Sequence, residues 1–172
     1  MRILGLGGST AAKSTSALLL QKALAEAERH GAETVRFLAA DIDFPLYTDD
    51  TPRSPAVTAF LSEVKACDGI IVVSPAFHGT VSGRIKNALD YVEDLKADGY
   101  LNGRVFGSVG VGGGHLAAIL TLDTLRNIAC ALRAWPTPMG LGISSNEPIT
   151  EKVDAKLCEI VRQVMSRGAV QQ

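Results

Sequence analysis

The run Gly69-Ile70-Ile71-Val72-Val73 carries no polar side chain on either side of an extended chain. A strand written this way must be covered on both faces, which calls for a parallel sheet with helices above and below. The rest of the chain obeys the same rule. Continuous apolar runs fall near residues 2–6, 34–38, 69–74, 104–110 and 137–143. Segments with helical spacing lie near 14–30, 55–66, 81–96, 115–133 and 151–167. The first of these sets Leu18, Leu19, Ala23 and Ala27 against Gln21, Lys22, Glu26 and Arg29. Gly31 then stands where a helix C′ residue belongs. Five such units with right-handed crossovers predict a three-layer, doubly wound α/β fold. Its five-stranded parallel sheet has the order 2-1-3-4-5.

Length and charge narrow the classes further. A chain of 172 residues, 47% hydrophobic and 20% charged, fits one domain over residues 1–172 with a sizeable core. A formal charge of −1 offers no electrostatic case for nucleic acid or an anionic membrane. No run approaches the ~18 apolar residues of a spanning helix. Arg2-Ile3-Leu4-Gly5-Leu6 already reads as a strand, so the N-terminus lacks a signal peptide's organisation. Cys67, Cys130 and Cys158 are odd in number and far apart, which reads as reduced thiols in a cytoplasmic protein without a zinc site.

In this strand order the ends of strands one and three adjoin at the switch point, where ligands bind in open α/β sheets. The first of the two loops there, residues 7–16, holds Ser9, Thr10, Ser14, Thr15 and Ser16 with Lys13 between them. Hydroxyls and backbone N–H groups at a helix start receive a phosphate; Ser14 or Thr15 can equally cap the helix. Five hydroxyls in one short turn exceed what a cap needs. A dinucleotide fingerprint would begin at Gly5 but meets Thr10 in its last place, and a P-loop would need glycine where Ala12 stands. Strand three ends in Ser74-Pro75, with no acidic residue for magnesium, so a phosphotransferase is the lesser alternative. One cation among hydroxyls suits a single terminal phosphate.

The second loop is Pro75, Ala76, Phe77, His78 and Gly79. Pro75 stiffens it, Gly79 permits unusual backbone geometry, and Phe77 offers an aromatic face or a core side chain. A third loop after strand four, Gly112-Gly113-Gly114-His115, suits backbone lying against a flat ligand and leaves one ligand face open. Lys13, Arg84 and Lys86 are candidate phosphate contacts of a dinucleotide, against the ordinary alternative of solvated charges. Residues 41–55 read as a surface linker first and a functional flap second. No catalytic triad, metal cluster or hydrolase carboxylate pair stands out, so the chemistry points to a cofactor positioned by the protein.

Gly8-Ser9-Thr10, Ser14-Thr15-Ser16, Ser74-Pro75-Ala76-Phe77-His78-Gly79, Gly83 with Lys86-Asn87-Ala88-Leu89-Asp90-Tyr91, and Gly112-Gly113-Gly114 together resemble the NAD(P)H-dependent FMN reductase family. That flavodoxin-like family includes quinone, azo-dye and chromate reductases. The resemblance implies FMN as cofactor, NADPH or NADH as co-substrate, and hydride transfer from nicotinamide to flavin. It places the FMN phosphate at residues 9–16 and the isoalloxazine between 75–79 and 112–115. It also implies a homodimer or homotetramer and, for some members, a partner flavin-dependent monooxygenase. Where the family often shows Ser-Pro-Glu-Tyr-Asn-Gly, this chain has Ala76, Phe77 and His78. A flavodoxin-like electron carrier is the rival from another class. Such carriers are strongly acidic and cover both flavin faces with aromatic rings, unlike this near-neutral chain.

Overall fold

The computed structural model describes residues 1–11 and 14–168. Its sheet is parallel throughout: β1 (Arg2–Gly7), β2 (Glu33–Phe37), β3 (Gly69–Pro75), β4 (Val105–Gly112), β5 (Trp135–Pro136) and β6 (Leu141–Ser144). The order is β2-β1-β3-β4, and β5 and β6 both pair with the far edge of β4. The expected order 2-1-3-4-5 is therefore present, with its fifth position filled by two short pieces.

Residue alternation along the strands explains the three layers. Leu4, Leu6, Ile70, Val72 and Phe106 enter a core shared with α2 (Pro55–Ala66), α3 (Gly83–Asp90) and α4 (His115–Ala131). Ile3, Ile71, Val73, Val105 and Val109 enter the other core, under α1 (Thr15–Arg29) and α5 (Glu151–Gly168). Burying both faces of β3 removes its side chains from water as far as Ser74, the source of the unbroken apolar run over residues 69–73.

Two expected elements need correction. A single third helix over 81–96 is instead α3 followed by a 3₁₀ segment, Tyr91–Asp98. Val92 and Leu95, three apart and both buried, share one side of that tighter spiral, and Gly99 ends it at φ 83°. A continuous fifth strand over 137–143 is instead broken between β5 and β6. Pro136 and Pro138 have no N–H to give a ladder. Thr137 N still donates to Phe106 O (3.0 Å), while Met139 N turns to Gln163 Oε1 (2.8 Å).

Candidate functional site

The loop after β1 is held close to β3 and α3. Gly8 N donates to Val73 O at 3.3 Å. A Cβ on Gly8 would lie 2.6 Å from Ile85 Cδ1 and 2.8 Å from Ser82 Cβ, so α3 itself requires the glycine. Ser14 caps α1, accepting from Ala17 N at 3.0 Å, and its Oγ lies 3.2 Å from that of buried Ser16. The capping alternative is thus present. Ser9 Oγ accepts from Ala11 N (3.2 Å), Ser9 and Thr10 keep their hydroxyls at the surface, and Thr15 is half-buried. Lys13 lies outside the described residues.

After β3 the chain makes a tight hairpin. Phe77 and Thr80 exchange backbone hydrogen bonds of 2.9 and 3.1 Å, with His78 at φ 50° and Gly79 at φ 81° between them. Positive φ at both central positions marks a type I′ turn. Ser74 Oγ accepts from Ser82 N (2.9 Å) and closes the base of the loop. Ala76 N donates to Val111 O (2.7 Å), which joins this loop to β4. Phe77 is half exposed and so is not a core residue.

The glycines around the end of β4 divide into two kinds. A Cβ on Gly110 would meet Ala118 O at 2.3 Å, and one on Gly112 would meet Ala118 N at 2.7 Å. These two admit the backbone of α4. Gly112 is buried, so its part in the expected ligand cradle is confined to backbone. Gly113 and Gly114 are exposed, with no atom within 4 Å of an added Cβ. His115 pairs with Glu147 (2.9 Å), and Asn146 Nδ2 donates to Gly113 O (2.9 Å). Sequence reasoning missed both of these partners, which lie 32 and 33 residues away.

The expected surface linker, residues 41–55, does lie mostly exposed, but residues 44–47 within it are pinned to α3 and Tyr91 as a strap. Asn87 is the pin. Its Oδ1 accepts from Tyr47 N (2.9 Å), and its Nδ2 donates to Phe44 O (3.2 Å) and Pro45 O (2.9 Å). Tyr91, fully buried, donates its hydroxyl to Pro45 O (3.0 Å). Arg53 lies 5.0 Å from the Tyr47 ring centre and 5.1 Å from that of Tyr91, and grips both oxygens of Asp94. Loss of water raises the Tyr47 pKa above its ordinary value, and its hydrogen bond to Asp49 adds to this. Of the remaining candidate cations, Lys86 pairs with Asp90 one turn along α3. Arg84 crosses from α3 to the segment after β2, donating to Ala39 O at 2.7 Å, and lines a cleft with Ser9 and Thr10.

The three loops therefore follow adjacent strands, β1, β3 and β4, at the same sheet edge. Surface hydroxyls stand on the first, one aromatic ring on the second, and open glycine backbone on the third. That set fits a phosphorylated flat heterocycle: polar groups for the tail, and space beside Gly113 and Gly114 for the rings. Among the described residues there is no cluster of side chains able to hold a metal ion.

A doubly wound sheet of this order with such loops at its switch point defines a flavodoxin-like nucleotide-binding domain. The family model for NADPH-dependent FMN reductases matches residues 1–147, and the chain belongs to that family, an oxidoreductase family. It is 29% identical over 142 residues to the FMN reductase (NADPH) of Pseudomonas putida, covering 82% of this chain and 70% of that one. A quinone reductase of Escherichia coli is 32% identical over 143 residues, covering 75% and 69%. The solved structure of an oxidoreductase from Corynebacterium diphtheriae superposes with a TM-score of 0.81 at 18% identity, over 100% of this chain and 99% of that one, a likeness of fold.

Proposed function

We propose that residues 1–172 form one FMN-binding reductase domain in which NADPH or NADH delivers hydride to FMN at the sheet's switch point. The observation that carries the reading is the open backbone of Gly113 and Gly114 beside the half-exposed Phe77 turn. FMN, when bound, supplies the hydride acceptor. The residues of this chain bind and orient it. Ser9, Thr10, Lys13, Ser14, Thr15 and Ser16 hold the phosphate through hydroxyl, backbone N–H and one cation. Pro75, Ala76, Phe77, His78 and Gly79 lie along one edge of the rings. Gly112, Gly113, Gly114 and His115 would hold the other, their backbone N–H groups supplying donors for an electron-rich ring.

One aromatic side chain on these three loops leaves a ring face bare for nicotinamide, which must come within ~3–3.5 Å of the flavin. An electron carrier would need that face covered. The same bare face favours a second reading for the oxidative half-reaction, in which a quinone, azo dye or chromate enters where nicotinamide left. Passage of reduced flavin to a flavin-dependent monooxygenase is the other outlet an open site supports.

We further propose a homodimer or homotetramer, supported by the exposed leucines and isoleucine on α4. A cytoplasmic location is supported by three free cysteines. No helix among the described residues is long and apolar enough to cross a membrane.

Anaerobic mixing of protein, FMN and either nicotinamide is the test. Rapid bleaching of the flavin's visible absorbance is expected. Failure to bleach with both NADPH and NADH rejects the reading.

A further inference from the structure

A cleft of about 430 Å³ lies between the loop after β1 and the segment after β2. It is on the opposite side of β1 from the loops that follow β3 and β4. Ser9 and Thr10, assigned above to the flavin phosphate, line this cleft too; Ala17, Leu38, Ala39 and Ala40 form its apolar wall, with Arg84 beside them. Nη1 of Arg84 is anchored on Ala39 O (2.7 Å), and Nη2 lies 3.2 Å from the exposed carboxylate of Asp43. A second cleft, of about 440 Å³, shares Ala17 and Leu38 and runs past Gln21 and Arg36. Arg36 is exposed and has no carboxylate partner among the described residues. The flavin reading uses neither Arg36 nor Arg84.

We propose that this cleft takes the adenosine end of the nicotinamide dinucleotide and that Arg84 holds the ribose 2′-phosphate. The assignment rests on the reductase reading above. Three features carry it. The strand order β2-β1-β3-β4 puts the end of β2 three strand spacings, about 14 Å, from the end of β4, a span suited to an extended dinucleotide with its nicotinamide at the flavin. The alanine and leucine wall suits the face of a base and not the polyol of a flavin. One terminal nitrogen of Arg84, Nη1, is held by a carbonyl while the other, Nη2, faces a solvent-exposed carboxylate. A phosphate can displace that carboxylate with two parallel hydrogen bonds.

In the other doubly wound order, 3-2-1-4-5-6, dinucleotide-binding sheets read the ribose about 20 residues past the glycine-rich turn, with an acid for a free 2′-hydroxyl and an arginine for a 2′-phosphate, which gives the chemistry by analogy. Here β2 is followed by Leu38, Ala39 and Ala40. The nearest acid, Asp41, is turned back to accept from Leu38 N (2.8 Å).

Calorimetric titration of the FMN-loaded protein with adenosine 2′,5′-bisphosphate, and with 5′-AMP as control, tests the assignment. The bisphosphate is expected to bind at least tenfold more tightly than 5′-AMP and to compete with NADPH. Arg84→Ala should weaken the bisphosphate about tenfold and lower the ratio of kcat/KM for NADPH over NADH by a similar factor, with Arg84→Lys between. The FMN Kd, followed by flavin fluorescence, should move less than twofold. Equal binding of bisphosphate and 5′-AMP by the wild type overturns the proposal even if the Arg84 variants do not fold. A loss of FMN affinity in Arg84→Ala without a change in the bisphosphate also overturns it, because the arginine then serves the flavin phosphate. If the bisphosphate binds as expected while neither nicotinamide bleaches the flavin, the reductase reading fails and takes the dinucleotide assignment with it, leaving a site for a 2′-phosphorylated adenosine.

Discussion

His78 and Gly79 occupy the two central positions of a type I′ turn, the one hairpin turn that wants positive φ at both. Glycine adopts that backbone freely and asparagine at small cost, whereas histidine is strained there. His78→Asn should therefore stabilise the protein by up to about 1 kcal/mol, and Gly79→Ala should destabilise it by about 1–2 kcal/mol, both by urea unfolding. A destabilised His78→Asn would show that the imidazole makes a compensating contact. The family's frequent asparagine at this place acquires a physical reason that a list of motifs lacks. Cys67 makes a second argument at this scale. Burial pushes its thiol up from an ordinary 9.0 to about 11, and its Sγ donates to Val64 O. Below pH 9 the folded and unfolded chains both hold the proton and the group adds no pH dependence. Between about 9 and 11 only the unfolded chain loses it, so stability falls by about 1.4 kcal/mol per pH unit from this one group. Cys67→Ala should flatten that slope while lowering stability at pH 7; an unchanged slope would mean the thiol ionises in place.

Within single elements, chemistry that acts over a few residues was readable in advance. Ser14 caps α1 and Gly31 turns at φ 83° after its end, each a signal contained in one turn of chain. The broken fifth strand was present in the sequence as Pro136 and Pro138, but an apolar run with proline inside it was read by its hydrophobicity and not by its missing donors. The pinned strap was harder. Asn87 meets Tyr47 across 40 residues, and no local pattern encodes that pair. Because Asn87 is buried and serves three backbone groups, Asn87→Ala strands Tyr47 N and Phe44 O, while Pro45 O keeps the Tyr91 hydroxyl. A loss of about 2–4 kcal/mol by urea unfolding is expected. The glycines of the β4–α4 junction, read together as ligand-facing, separate into two roles that substitution can tell apart. Gly110→Ala drives a methyl into the backbone of α4 and should cost about 3 kcal/mol or more. Gly113→Ala meets open space, so the melting temperature should hold while FMN affinity drops. Equal affinity in wild type and Gly113→Ala would remove the third loop from the flavin site.

At the scale of the whole molecule, the strand order and the convergence of three loops followed from counting β–α units, because the switch point is a property of topology and not of any one side chain. What topology does not give is the outer surface. Leu116, Ile119 and Leu120 stand exposed on α4 at helical spacing, with Leu116 at 74% exposure. Leu120 reaches the type I′ turn, its Cδ1 lying 3.7 Å from where a Cβ on Gly79 would be, so the apolar stripe continues into half-exposed Phe77. A patch of this make-up on a lone molecule would leave large side chains in water beside the proposed flavin loop. A second copy laid on α4 would bury it by two-fold symmetry, each stripe covering the other, and would wall the flavin slot with a neighbour's helix. Sedimentation velocity at micromolar concentration should then give a dimer or tetramer for the wild type. Leu116→Glu or Leu120→Glu should give a monomer whose circular dichroism is unchanged but whose FMN binding is weaker. Because the stripe and the slot share the Phe77 turn, loss of assembly and loss of flavin should appear together across a dilution series. A wild-type chain that sediments as a monomer at about 100 μM, or a glutamate variant that still dimerises, would mean that α4 faces solvent and that the slot is complete within one chain.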